Sequence, residues 1–171
     1  MNGKPLCIDL FCGLGGWAEG FIAEGYRVVG FDNDPRFAAV YPGEFVLADV
    51  RTLDGRRFRG ARCIVSSPPC LPYILMPWYI PPPDDGLWDE ASRIGREARV
   101  PLVIENVRGA QLARGRAVCH AGSRYLWGDV PPLGPVEAVY GKERMPPSPG
   151  RAALRAKIPL PLARAVARGF L

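Results

Sequence analysis

The chain has no apolar run approaching the roughly 18 residues that a membrane span needs, so it does not read as a helical membrane protein. It has no CxxC, and its cysteines, at positions 7, 12, 63, 70 and 119, are odd in number. That arrangement implies neither a disulfide framework nor a zinc site, and no metal is expected. A reducing cytoplasm is the simplest setting, and it keeps a catalytic thiol usable. Histidine is almost missing. The one present, His120, is of a kind more often hydrogen-bonded structurally than used as a base, and it receives no role. No repeat or low-complexity tract occurs. The start, "MNGKPLCIDLF", carries one Lys and no long apolar stretch before its first acid, so it does not read as a signal peptide. A length of 171 residues fits one domain.

Charge is present in quantity but unevenly placed. Residues 1–98 hold ten Lys/Arg against thirteen Asp/Glu, whereas residues 99–171 hold twelve against four. The basic second half suits a polyanion partner, nucleic acid above all. It is equally what an arginine-rich solvated surface looks like. Charge alone does not choose between them.

Short apolar runs alternate with helical patterns. Strands are expected at 5–11, 26–31, 44–50, 61–67 and 101–107, and a hairpin of two more at 117–128. Helices are expected after "GLGG", with Trp17, Phe21 and Ile22 on one face, at 86–98, with Leu87, Ala91, Ile94 and Ala98 on one face, and at 159–171. Pro35 opens a short helix. Residues 68–86 are proline-rich and read as a long loop, which inside a compact domain signals function or disorder. The pattern predicts an α/β, doubly wound, mostly parallel sheet with helices on both faces and an antiparallel edge hairpin.

In such sheets ligands bind beyond the carboxyl ends of the strands. In "DLFCGLGG" (9–16), Gly13, Gly15 and Gly16 let the backbone bend and approach a ligand closely. The turn is only part of a dinucleotide fingerprint, because position 18 is Ala. Asp32 ends the second strand, where an acid grips ribose hydroxyls, although "DNDP" is also a turn cap. Asp49 ends the third. Acids at three strand ends, Asp9 included, suit a nucleoside with a cationic or amino-acid tail better than a pyrophosphate. Cys70 follows the fourth strand and Glu105 ends the fifth, which makes a nucleophile and acid/base pair on neighbouring tips. Pro68 and Pro69 aim the thiol. The plain alternatives are a packed Cys70 and a Glu105–Arg108 salt bridge.

"DLFCGLGGWAEGF", "SPPCLPY" and "VIENVRG", in that order, resemble the signature segments of the DNA (cytosine-5)-methyltransferases. "SRYLWG" and "AKIPLPLARAVA" resemble the family's late segments, and the whole is most similar to short phage-type members. The likeness spans nearly the entire chain. It is specific in pairing Cys with Glu-Asn-Val, less so in the glycine turn. It implies a Rossmann-like class I methyltransferase fold and S-adenosylmethionine as cofactor. It also implies a cytosine in DNA as substrate, flipped out of its duplex. By the match, Cys70 adds to C6 of the base and Glu105 binds its N3 and N4 edge. Asn106 orients the loop, and Arg124 binds the O2 side or a nearby phosphate. Asp9, Phe11, Gly13, Gly15, Gly16, Asp32, Asn33, Asp49, Val50 and Pro68 hold the cofactor. Protection of phage or host DNA in a restriction-modification setting is the analogous purpose.

The chain departs from that pattern in several places. Leu71 stands where the family has Gln after the nucleophile. Arg155-Ala156-Lys157 replaces a Gly-Asn that lies against the cofactor, and a cation there suits a carboxylate-bearing cofactor analogue. Gly122 replaces the first arginine of the late pair. Residues 129–156 leave no room for a separate target-recognition domain, so 71–86 and the basic 141–157 would grip the nucleic acid. Tyr73, Trp78 and Tyr79 either stack on bases or pad the loop against the domain. Tyr125 and Trp127 read as core. Rival readings are a catalytically silent nucleic-acid binder, a C5 enzyme for RNA or a free cytosine nucleotide, and an exocyclic amino methyltransferase.

Overall fold

The computed structural model describes residues 3–74, 86–134, 136 and 151–171. Seven strands form one sheet: β1 (Leu6–Leu10), β2 (Arg27–Asp32), β3 (Glu44–Leu47), β4 (Cys63–Ser66), β5 (Leu102–Asn106), β6 (Cys119–Ala121) and β7 (Arg124–Gly128). Their order is β3-β2-β1-β4-β5-β7-β6. The first five run parallel, and β7 pairs antiparallel with both β5 and β6. The predicted architecture is therefore present, with its antiparallel edge. The order reverses between β1 and β4, which opens a crevice at their carboxyl ends.

The helices are α1 (Gly16–Ala23), α2 (Leu71–Ile74), α3 (Leu87–Ala98), α4 (Gln111–Arg114), α5 (Arg151–Ala156) and α6 (Leu160–Gly169). The inner strands are buried on both faces, which is why they read as unbroken apolar runs. On one side Cys7, Val65 and Leu126 meet Trp17 and Phe21 of α1 and Leu162 and Val166 of α6. On the other, Ile8, Leu10, Ile64 and Ile104 meet Trp88, Ala91 and Ile94 of α3. Each fully buried aliphatic side chain contributes about 1.5–3 kcal/mol. Helices α1 and α6 approach closely: a Cβ on Gly20 would stand only 2.3 Å from that of Ala163.

Three expectations need correction. Ile22 is 38 % exposed, because Trp17 and Phe21, one turn apart, take the inward face together with Ala18. The third strand stops at Leu47 rather than running to residue 50. It lies at the sheet's edge, where Val46 and Leu47 face outward, and Asp49 then caps a single 3-10 turn, Val50–Thr52. On α3, Trp88 is buried while Leu87 is only half-buried. The 68–86 loop contains α2. Its residues 75–85, with Trp78 and Tyr79, and the segment 137–150, with Lys142 and Arg144, lie outside the described residues.

Candidate active site

The crevice is built first by the turn after β1. Phe11 and Gly13 take positive φ, and Gly15 caps α1 at φ 75°. Asp32, at the tip of β2, ties the turn down. One carboxylate oxygen accepts from the Gly13 N–H at 2.9 Å and the other from the Asp34 N–H at 3.0 Å. The turn-cap and ligand-site readings of Asp32 thus coexist in one side chain. Behind the turn, a Cβ on Gly16 would lie 2.4 Å from the backbone nitrogen of Ile158. Glycine is required there because the chain between α5 and α6 presses on it.

Three adjoining cavities open above the strand tips. The first, about 290 Å³, is lined by Phe11, Asp32, Asn33, Asp49 and Val50. The second, about 110 Å³, lies over Gly13, Gly16 and Trp17 and is closed by Phe37 and Lys157. The third, about 550 Å³, is lined by Pro68, Cys70, Glu105, Asn106 and Arg124. Ser67 borders all three, and its oxygen accepts from the Trp17 indole N–H at 3.0 Å. Phe37 borders the second and third. Ser67, Phe37 and Trp17 escaped the sequence reading as site residues. For Ser67 the available signal was its place directly before Pro68.

In the third cavity, the predicted nucleophile and its carboxyl partner share one wall. Cys70 is half-buried, and among the described residues every cysteine is a thiol outside any disulfide. The Asn106 amide donates to the Pro68 carbonyl at 3.0 Å, and its oxygen accepts from the Val107 N–H. Asn106 thereby locks the proline turn to β5. Glu105 is 4 % exposed and paired with Arg124 at 3.2 Å. The plain alternative, a pair with Arg108, is not formed: Arg108 follows the strand and is exposed. Arg124 is itself buried, and its guanidinium also donates to the carbonyls of Arg155, Ala156 and Lys157. A guanidinium so enclosed is not placed to meet a DNA phosphate. Gly122, where the family has an arginine, occupies the β6–β7 turn at φ 59°, a conformation that disfavours any side chain. Tyr73 packs edge-on against Trp88, at 6.1 Å between ring centroids, and its hydroxyl accepts from Arg114, so it pads the loop. Trp127 is core, and Tyr125 stacks on His120.

Gly15 borders none of the three cavities and Pro68 only the third; Asp9 is set apart furthest. It is fully buried beneath the turn, borders none of the three cavities, and accepts from the Tyr41 hydroxyl at 3.0 Å. Its position within β1 points it into the core on the α1 side. Burial, reinforced by the Asp32 charge, pushes its carboxyl up to about 8 although the Tyr41 bond opposes this. The native state therefore holds a proton on Asp9 that the unfolded chain releases near pH 3.8. Stability falls as pH rises between these values. Asp9→Asn removes the titration. Its melting temperature stays flat from pH 5 to pH 9 while the wild type's declines, and the variant is the more stable at pH 9. The difference is bounded by about 6 kcal/mol. Parallel melting curves for the two proteins would refute the assignment.

The donor set fits a nucleoside joined to an amino-acid tail. Two acids and a hydrophobic wall face the first cavity, a glycine cradle that any Cβ would fill floors the second, and Ser67 stands where they meet the third. A reversed parallel sheet carrying such a site defines a class I, Rossmann-like methyltransferase domain. The family model for C-5 cytosine-specific DNA methylase matches residues 6–117, and the chain belongs to that family. The cofactor is accordingly S-adenosylmethionine. Over 74 residues the chain is 35 % identical to a type II methylase of Herpetosiphon aurantiacus, a match covering 37 % of this chain and 21 % of that one. A solved variant of DNMT2 from Spodoptera frugiperda has the same fold, with a TM-score of 0.50 and 19 % identity over 65 % of this chain and 38 % of that one. The tRNA (uracil-54, C5)-methyltransferase of Pyrococcus abyssi, solved with S-adenosyl-L-homocysteine, gives a TM-score of 0.44 at 19 % identity, over 67 % of this chain and 27 % of that one. No helix among the described residues is long and apolar enough to cross a membrane.

Proposed function

We propose that this chain transfers a methyl group to C5 of cytosine in DNA through a covalent adduct between the Cys70 sulfur and C6. The observation that carries the reading is the shared wall of the 550 Å³ cavity, where Cys70, Glu105, Asn106 and Arg124 converge beside the cofactor cavities. That volume is typical of small-molecule sites, about 300–1,000 Å³.

Cytosine C5 is too weak a nucleophile to take a methyl group unaided. Cys70 gives up its S–H proton to solvent and the thiolate bonds to C6 as Glu105 gives a proton to N3, and the ring becomes an enamine nucleophilic at C5. S-adenosylmethionine supplies an electrophilic methyl on its sulfonium. Transfer leaves S-adenosylhomocysteine; solvent then takes the C5 proton, the C5–C6 double bond re-forms as the C6–S bond breaks to release the Cys70 thiolate, and N3 returns its proton to Glu105. Asn106 holds the sulfur-bearing turn by the Pro68 carbonyl. Arg124 keeps Glu105 oriented and closes the wall on the O2 side of the base. Asp32, Asn33 and Asp49 serve the nucleoside, with Phe11 and Val50 packing on it.

The nucleic acid is gripped by 71–86 and 141–157, and sequence preference is short or relaxed. A reducing cytoplasm preserves the thiol, and protection of phage or host DNA from restriction is the corresponding purpose. The test is a trapping assay with S-adenosylmethionine and 5-fluorocytosine, placed in duplex DNA, in RNA and in the free nucleotide. The reading requires an adduct on duplex DNA that is absent from Cys70→Ala. An adduct only on RNA or nucleotide moves the substrate. Methylated amino groups without an adduct, or binding without turnover, sink the mechanism.

A further inference from the structure

We propose that Lys157 is the carboxylate-binding residue of the cofactor site. This rests on reading the 110 Å³ cavity as the seat of the amino-acid end of S-adenosylmethionine. Among the described residues lining that cavity, Lys157 carries the only charge, while the neighbouring nucleoside cavity is lined by Asp32 and by Asp49 paired with Arg51. With Asp49 offset by Arg51, Asp32 still leaves the nucleoside cavity net negative, so a carboxylate entering the pair of cavities is favoured at the Lys157 end.

The residue is held for that task. Its N–H donates to the Ala153 carbonyl at 3.0 Å, and its carbonyl accepts from Arg124 at 2.9 Å. The next residue, Ile158, presses on Gly16. The Lys157 backbone is thus fixed against the glycine turn from two sides. Its ammonium donates to Glu19 on α1 at 2.5 Å. That contact uses one of three donors and directs the stem across the cavity's rim. Glu19 does not line the cavity. The ammonium keeps two donors beyond its contact with Glu19, so a carboxylate in the cavity that Lys157 lines completes its shell without displacing Glu19.

A carboxylate can come from the amino-acid end of the ordinary cofactor or from a carboxyl borne on the transferred group. Isothermal titration separates them. Wild type, Lys157→Met and Lys157→Arg are titrated with S-adenosylhomocysteine and its decarboxylated analogue, and with S-adenosylmethionine beside its S-carboxymethyl counterpart. Wild type prefers the carboxylated homocysteine by about tenfold or more, the worth of a charge-assisted hydrogen bond. Lys157→Met reduces that preference to within about threefold, and Lys157→Arg retains it. If only the S-carboxymethyl preference depends on Lys157, the same cation serves the transferred group instead. If neither preference changes in Lys157→Met, or all ligands weaken equally, Lys157 is structural and the proposal fails. Should Lys157→Met not fold, Glu19→Gln decides: it tightens only the carboxylated ligands if the proposal holds, and treats all alike if it does not. Absence of binding to any adenosyl ligand by the wild type would instead overturn the cofactor reading on which the proposal rests.

Discussion

Cys70→Ala loses methyl transfer by at least about three orders of magnitude, the scale of removing a nucleophile that no neighbour replaces. The loss is confined to chemistry. Cys70 is half-buried at the mouth of its cavity and outside both apolar cores, so its removal leaves no large void. Its backbone position is set by other groups. Pro68 and Pro69 restrict the approach, Asn106 holds the Pro68 carbonyl, and the Cys70 carbonyl accepts from the Tyr73 N–H to start α2. Binding of S-adenosylhomocysteine and the melting temperature of Cys70→Ala therefore match wild type. Radiolabelled methyl transfer gives the rate, and calorimetry gives the binding and melting. Retention of more than about a tenth of the wild-type rate contradicts Cys70 as nucleophile. A large fall in melting temperature would return it to the role of packed bystander.

Arg124→Met destabilises the fold by about 3–5 kcal/mol, because it removes the charged partner of a buried carboxyl. Glu105 and Arg124 side chains are 6 % and 8 % exposed, so water does not replace the lost partner. The same substitution unties the carbonyls of Arg155, Ala156 and Lys157 at the end of α5. In a chain of this size the melting temperature drops by roughly 10 °C. Adding Glu105→Gln to Arg124→Met recovers part of the loss, since the uncompensated charge is then gone. Denaturant unfolding of the two single variants and the double variant measures the coupling. A cost below about 1 kcal/mol for Arg124→Met, the range of an exposed pair, would show that the pair is solvated and that Arg124 does not hold Glu105. Arg124 consequently links Glu105 to the end of α5: its two guanidinium ends touch Glu105 and the segment bearing Lys157.

The local features were legible in the sequence. Apolar runs such as "CIVS" and "LVIEN" are strands because both faces are covered, and the run itself records that. "GLGG" after a strand announces a turn that approaches a ligand, and "SPPC" announces a stiffened thiol. Strand tips carrying Asp32 and Glu105 could be placed because an α/β alternation has few ways to arrange itself, whereas Asp49 proved to lie in the turn beyond its strand. Asp9 misled because position along the chain does not reveal which face of a strand a side chain takes. It sits one residue before the end of β1 and turns into the core, toward Tyr41.

Partnership across the chain was decided by tertiary structure alone. Nothing near Glu105 in sequence indicates that Arg124 rather than Arg108 neutralises it. The reason is the antiparallel register that sets β7 beside β5. Lys157 and Glu19 are 138 residues apart and meet only because α6 packs on α1. Ser67 gained its place at the junction of three cavities from the reversal of strand order between β1 and β4. The chemistry-bearing residue types and the layered class of fold belong to the sequence by itself, through periodicity and turn-forming residues. Which charges face one another, and which carboxyl meets the ligand, depend on packing between distant segments, and no local pattern encodes that.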